Sequence, residues 1–178
     1  MSSKHPDSRA FAALFMTFFG AIWLLSWCLR TFGPSAETLI ALLTASIVLG
    51  VAARYLKNSR STDPDWVTYF KKYRRSFYLI NVVQWMMIVA VVVIFPKLGY
   101  SEWIEASIIY IVGLHFFPLA HIFEISQFYM TEGFMVLVAI FLPLISTTWP
   151  GSALGSLGAG IILWVSSIYM LANKPDSN

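Results

Sequence analysis

Charge is what this chain has least of. Only 12% of its 178 residues are Asp, Glu, Lys or Arg, against about 25% in soluble domains, whose surfaces must stay wet. With 58% apolar residues and a mean hydropathy of +0.70, a water-soluble fold is excluded. Cysteine is nearly missing as well. Cys28 stands alone, so no disulfide forms within the chain, and its apolar setting suits a small packing residue. The preceding Leu25, Ser26 and Trp27 do not make a lipoprotein cleavage box, because bulky Trp27 stands where a small residue is needed. Histidine is confined to His5, His115 and His121. Haem held by two histidines needs them on two spans, and a metal at His121-x-x-Glu124 needs further ligands on other helices, where none exist. No cofactor or metal is therefore expected. No complete catalytic, nucleotide or nucleic-acid motif is present either, so an enzyme is the least favoured class.

What the chain does have is long uncharged stretches. A helix crossing a hydrocarbon core of about 30 Å needs roughly 20 mostly apolar residues, because each residue rises about 1.5 Å. Membrane β-strands need only about ten, in alternation, and the blocks here are longer and continuous. The runs between charges predict an all-α, single transmembrane domain over residues 1–178, with spans at about 10–30, 37–55, 76–96, 103–124, 133–148 and 152–172. The first is too long for a signal-peptide core and lacks a small-residue exit before Arg30. No charge occurs between Gly133 and Asn173, so two helices share that stretch. The turn chemistry of Thr147, Thr148, Trp149, Pro150 and Gly151 divides them.

Positive charge decides orientation, because cytoplasmic loops hold the excess of Lys and Arg. An inside N-terminus puts Lys4, Arg9, Arg54, Lys57, Arg60, Lys71, Lys72, Arg74, Arg75 and Lys174 in the cytoplasm and leaves Arg30 and Lys97 outside. Six spans then return the C-terminus to the cytoplasm. The net charge of +3 is thus a topology signal, and nucleic acid is not an expected partner.

The longest polar segment contains a second pattern. Asp63-Pro64 suits a helix start, and Trp66, Tyr69, Phe70, Tyr73 and Phe77 then recur on one helical face, with Lys71, Lys72, Arg74 and Arg75 around the other side. An amphipathic helix over about 64–77 is expected at the cytoplasmic interface, with its rings at headgroup level, running into the third span. It is either a topological anchor or a contact for anionic lipid or a protein partner, made by Trp66, Lys71, Lys72, Arg74 and Arg75.

Polar side chains inside spans cost free energy unless paired, which makes them the candidates for function. Asn81 and Gln84 share one face of the third span. The fourth span has Glu102 and Glu105 at its outer end, then Tyr110, His115, Pro118, His121 and Glu124. At about 100° per residue, Tyr110, His121 and Glu124 fall within roughly 60° of one another, whereas His115 is about 120° from His121. Pro118 has no N–H for the Leu114 carbonyl, so a kink and a local polar cavity are expected. Counted from their helix ends, Gln84 and His115 lie at similar depth. These residues either line a pocket in which histidine relays protons or contacts a solute, or they are hydrogen-bonded packing groups. In the sixth span, Gly151, Gly155 and Ala159 recur every four residues beside Ser152, Ser156 and Gly160. That row allows close helix packing, within the chain or between copies in a homo-oligomer.

The stretch Gly113, Leu114, His115, Phe116, Phe117, Pro118, Leu119, Ala120 resembles a segment of small polytopic bacterial membrane proteins of uncharacterised function. The likeness covers about one helix and implies a cell inner membrane location. The sequence as a whole points to a multi-pass inner-membrane protein of transporter type, which binds or translocates a small solute or ion near the fourth helix. The alternative is a non-catalytic accessory, immunity or scaffold protein acting through lipid or protein contacts.

Overall fold

A chain surrounded by hydrocarbon must satisfy its backbone N–H and C=O groups internally, and an apolar run does so most directly as a helix. In the computed structural model, which describes residues 6–59, 64–145 and 152–172, these runs form α1 (Pro6–Phe32), α2 (Ala36–Ser59), α3 (Pro64–Lys97), α4 (Ile104–Phe123), α5 (Gln127–Ile145) and α6 (Ser152–Ala172). A single 3₁₀ turn, Ser101–Trp103, leads into α4, and no strand occurs among the described residues. Windows in α1, α2, α3, α6 and the Ser101–Phe123 segment are long and apolar enough to cross a membrane. This is the architecture of a multi-pass membrane protein. The division at 147–151 lies outside the described residues.

The closest helix pairs run in opposite directions, whereas α4 and α6 run the same way. α1 lies on α6 and α2, α4 lies on α5 and α3, and α5 and α4 both touch α6. α2 and α3, consecutive in sequence, pack mainly on different partners: α2 on α1 and α3 on α4. Burial follows this order. Of the Ser101–Phe123 window 61% is buried, of Lys71–Lys97 none. Leu39, Leu43 and Ile47 of α2 and Val82, Trp85, Met86, Val89 and Val93 of α3 remain exposed in the isolated chain, as lipid-facing side chains do.

The core has two parts. One gathers Met16, Phe116, Leu119, Phe123, Ile125, Phe128 and Leu163 near the C-terminal end of α4. The other gathers Ala106, Ile109, Met135, Ala139, Leu142 and Ala159 near its N-terminal end, and Trp23 and Val112 pack against both. Small residues let α6 approach its partners. A Cβ at Gly20 would collide with the Trp164 ring, and one at Gly160 would stand 2.6 Å from Leu24 Cγ and 3.1 Å from the Gly20 carbonyl oxygen. Hydrogen bonds seal the same seam: Trp164 Nε1 donates to the Thr17 carbonyl over 3.1 Å, and the Thr17 and Ser167 hydroxyls lie 2.6 Å apart. Both hydroxyls also reach the Ala13 carbonyl, at 2.8 and 2.9 Å. Each has one hydrogen, so one donates to the carbonyl and the other to its fellow hydroxyl.

One boundary differs from those marked by charge. α5 begins at Gln127, not Gly133, and carries Glu132 half-buried within it. The connection from α4 is correspondingly tight. Glu124 takes the left-handed conformation with φ 53° and ψ 36°, and the Ile125 N–H bonds back to the Ala120 carbonyl over 3.1 Å. This is a Schellman closure. Fully buried Ile125 supplies its hydrophobic contact, although a glutamate stands where glycine usually does. The amphipathic segment runs into the third span as expected, the two forming one uninterrupted helix, α3, of 34 residues. At about 1.5 Å per residue that is roughly 51 Å, well beyond a hydrocarbon core of about 30 Å.

Candidate functional site

The crevice between α3 and α4 brings together the polar groups of two spans. Antiparallel packing sets Phe77 against Phe123, with ring centroids 5.9 Å apart. About two turns further along α3, Gln84 faces the His115 and Pro118 level of α4. Gln84, His115 and Pro118 line one groove of about 280 Å³ with Leu79, Ile80, Val83, Met87, Ile111 and Leu114. Its wall is apolar apart from the amide and the imidazole, and no charged side chain lines it.

His115 is the unusual group. It is buried at 6% exposure, and neither Nδ1 nor Nε2 has a hydrogen-bond partner. Its ring stands in a T-shaped arrangement with Phe116, at 5.9 Å between centroids. A neutral imidazole offers one N–H donor and one acceptor nitrogen. Leaving a buried polar group without a partner costs about 1–3 kcal/mol, so an orphaned histidine in a core points to a role other than stability. Pro118, inside α4, has no N–H to give the Leu114 carbonyl one turn earlier.

The other expected pocket residues are elsewhere. Asn81 Nδ2 donates to the Phe77 carbonyl of its own helix over 2.8 Å and does not line the groove. Tyr110 lines a separate groove of about 440 Å³ with Val91, Trp103, Ala106, Ser107, Ala139 and Ile140. Ile111 lines both, as the sill between them. His121 and Glu124 are exposed at the far end of α4. Glu124 does not share a helical face with Tyr110 and His121, because its left-handed backbone takes it off the helix. Among the described residues, no three His, Cys, Asp or Glu side chains come together as a metal site would require.

Of the expected headgroup contacts, Lys71, Lys72, Arg74 and Arg75 are exposed, and Lys72 Nζ stands 5.2 Å from the centre of the Tyr73 ring. The Trp66 side chain lies outside the described residues. Tyr73 and Phe77 are half-buried against the core around Phe123, so these two rings of the stripe pack on protein. Gly151 also lies outside the described residues. Gly155 and Ala159 sit where α6 meets α4 and α5: a Cβ on Gly155 would stand 2.6 Å from Leu142 Cδ2 and 2.8 Å from Glu105 Oε1, and Ala159 is fully buried.

Sequence reasoning missed the polar clasp next to Gly155. Arg30 Nη1 donates to Glu105 Oε2 over 2.8 Å, and Ser156 Oγ donates to Glu105 Oε1 over 2.7 Å. The carboxylate is 8% exposed and the arginine side chain 46%. One buried acid thereby fastens the ends of α1, α4 and α6. The available signal was that Arg30 closes α1 and Glu105 opens α4, opposite charges at one membrane depth. Compared with known proteins, the chain matches no family model, no curated protein and no solved structure.

Proposed function

We propose that the protein is a six-span protein of the cell inner membrane with both termini in the cytoplasm, and that it holds a small membrane-soluble molecule in the groove between α3 and α4. The observation that carries the binding reading is His115, buried without a hydrogen-bond partner in a groove shared with Gln84. The apolar wall and the flanking position of α3 favour access from the bilayer over access from water. They also favour binding over passage of an ion, which would need polar groups along its whole path.

Orientation is supported by the arrangement of charge. Antiparallel packing puts Arg54, Lys71, Lys72, Arg74 and Arg75 at one end of the bundle and Arg30 with Glu105, Lys97 and Glu102 at the other. The exposed basic group suits anionic headgroups, at about 1 kcal/mol for each cation near the surface. α5, with 19 residues, reaches roughly 28 Å and serves as the remaining span.

Two measurements test these readings. Single cysteines at Lys71 and Lys97, in a Cys28→Ser background, should be labelled by an impermeant maleimide from opposite sides of the membrane; labelling from one side overturns the topology. An alkyl-diazirine probe photolysed in phosphatidylcholine vesicles should mark Leu79, Met87 and Leu114 well above the lipid-facing Leu39, Leu43 and Ile47 of α2. Uniform marking of both surfaces overturns the binding site. A second reading, an accessory protein that docks another membrane protein, is favoured by the exposed apolar length of α3. A partner crosslinked at Trp85 or Val89 would support it.

A further inference from the structure

We infer that the occupant of the α3–α4 groove is a neutral, carbonyl-headed lipid of the alkyl-quinone type, its head between Gln84 and His115 and its tail running past Ile111 into the adjoining groove. This rests on the binding reading above and specifies its ligand. The first argument is charge. No ionised side chain lines either groove, and an ionic head at that depth would need a partner charge that neither wall supplies.

The second argument is hydrogen bonding. A plain hydrocarbon would leave both ring nitrogens of His115 unmet, as they stand now. A quinone carbonyl can accept from the imidazole N–H or from the Gln84 amide. Its reduced form, a quinol, can donate to the acceptor nitrogen or to the Gln84 carbonyl oxygen. Neutral His and Gln thus match both forms without a change of charge. Both nitrogens are covered in the unliganded chain, so contact requires rotation of the ring or displacement of a neighbour. Met87, with its flexible thioether, is the neighbour best suited to yield.

The third argument is shape. The groove at Gln84 holds about 280 Å³ and the one at Val91 about 440 Å³, with Ile111 common to both. From residue 84 to residue 91 α3 rises roughly 10 Å. An elongated ligand with a compact head uses both volumes, whereas a small round solute fills only one.

The test is competition against the diazirine label in reconstituted vesicles, with decyl-benzoquinone, decylbenzene and decanol as competitors. Decyl-benzoquinone should suppress labelling of Leu114 and Met87 at a concentration roughly tenfold below that needed with decylbenzene, the factor expected of about one good hydrogen bond. His115→Leu should abolish that preference, and Gln84→Leu should reduce it. His115→Leu should also melt no lower than the parent, since it replaces an unpaired polar group by an apolar one, so a lost preference will not reflect misfolding. Equal competition by decylbenzene, stronger competition by decanol, or an unchanged preference in His115→Leu overturns the ligand class and leaves the binding site standing. If the parent groove takes no label above the α2 surface, the binding reading itself fails, and this inference with it.

Discussion

Removing the guanidinium at position 30 strands a carboxylate, and the size of that effect follows from how each partner is buried. In Arg30→Ala, Glu105 keeps the hydrogen bond from Ser156 but loses the counter-charge of the guanidinium, while its side chain stays 8% exposed. Breaking a buried ion pair this way costs about 3–5 kcal/mol. Because Arg30 is 46% exposed, water and headgroups replace part of its contribution, and the expected loss is about 2 kcal/mol. Glu105→Gln preserves the shape and the acceptor for Ser156, and lets the half-exposed arginine turn outward, for a loss of about 1 kcal/mol. The double variant strands no charge, so it should cost about 1–1.5 kcal/mol rather than the sum of the two. Reversible unfolding in mixed micelles, followed by the fluorescence of the seven tryptophans, measures all three. Additive costs within about 0.5 kcal/mol, or Glu105→Gln outweighing Arg30→Ala, would refute the clasp as an interacting pair.

Glycine substitutions should separate close packing from open space. Gly160→Ala forces a methyl to within 2.6 Å of Leu24 and 3.1 Å of the Gly20 backbone, and should cost about 1–3 kcal/mol. Gly50→Ala on α2 meets nothing within 4 Å, and should stabilise by about 0.5–1 kcal/mol through helix propensity. Equal effects in the same unfolding assay would contradict the α1–α6 packing. Glu124→Gly relieves a side chain held at φ 53° and should stabilise by about 1 kcal/mol; a loss of stability would mean that the glutamate makes a contact worth more than the strain.

Helix formation was readable from the sequence because hydrocarbon penalises every unpaired backbone group and every charge. The charges bracket α1, α2 and the second half of α3 closely. They fail at the α4–α5 turn, where Glu124 does the work of a glycine and no composition signal marks it. The common level of Gln84 and His115 followed from counting residues from their helix ends, since rise per residue is constant. Which way each side chain turns did not follow: Asn81 bonds back to its own helix, and Tyr110 opens on another groove.

Composition and spacing alone thus determined that this chain is helical and has helices long and apolar enough for a bilayer. Only the tertiary structure decided that α1 lies on α6, that α2 packs on α1 and α3 on α4, and that Arg30 finds Glu105. The reason is physical. Lipid tails are as apolar as leucine, so a hydrophobic pattern cannot choose one helix over another as neighbour. That choice falls to small residues such as Gly20 and Gly160 and to scattered hydroxyls and charges, whose partners are far away in sequence.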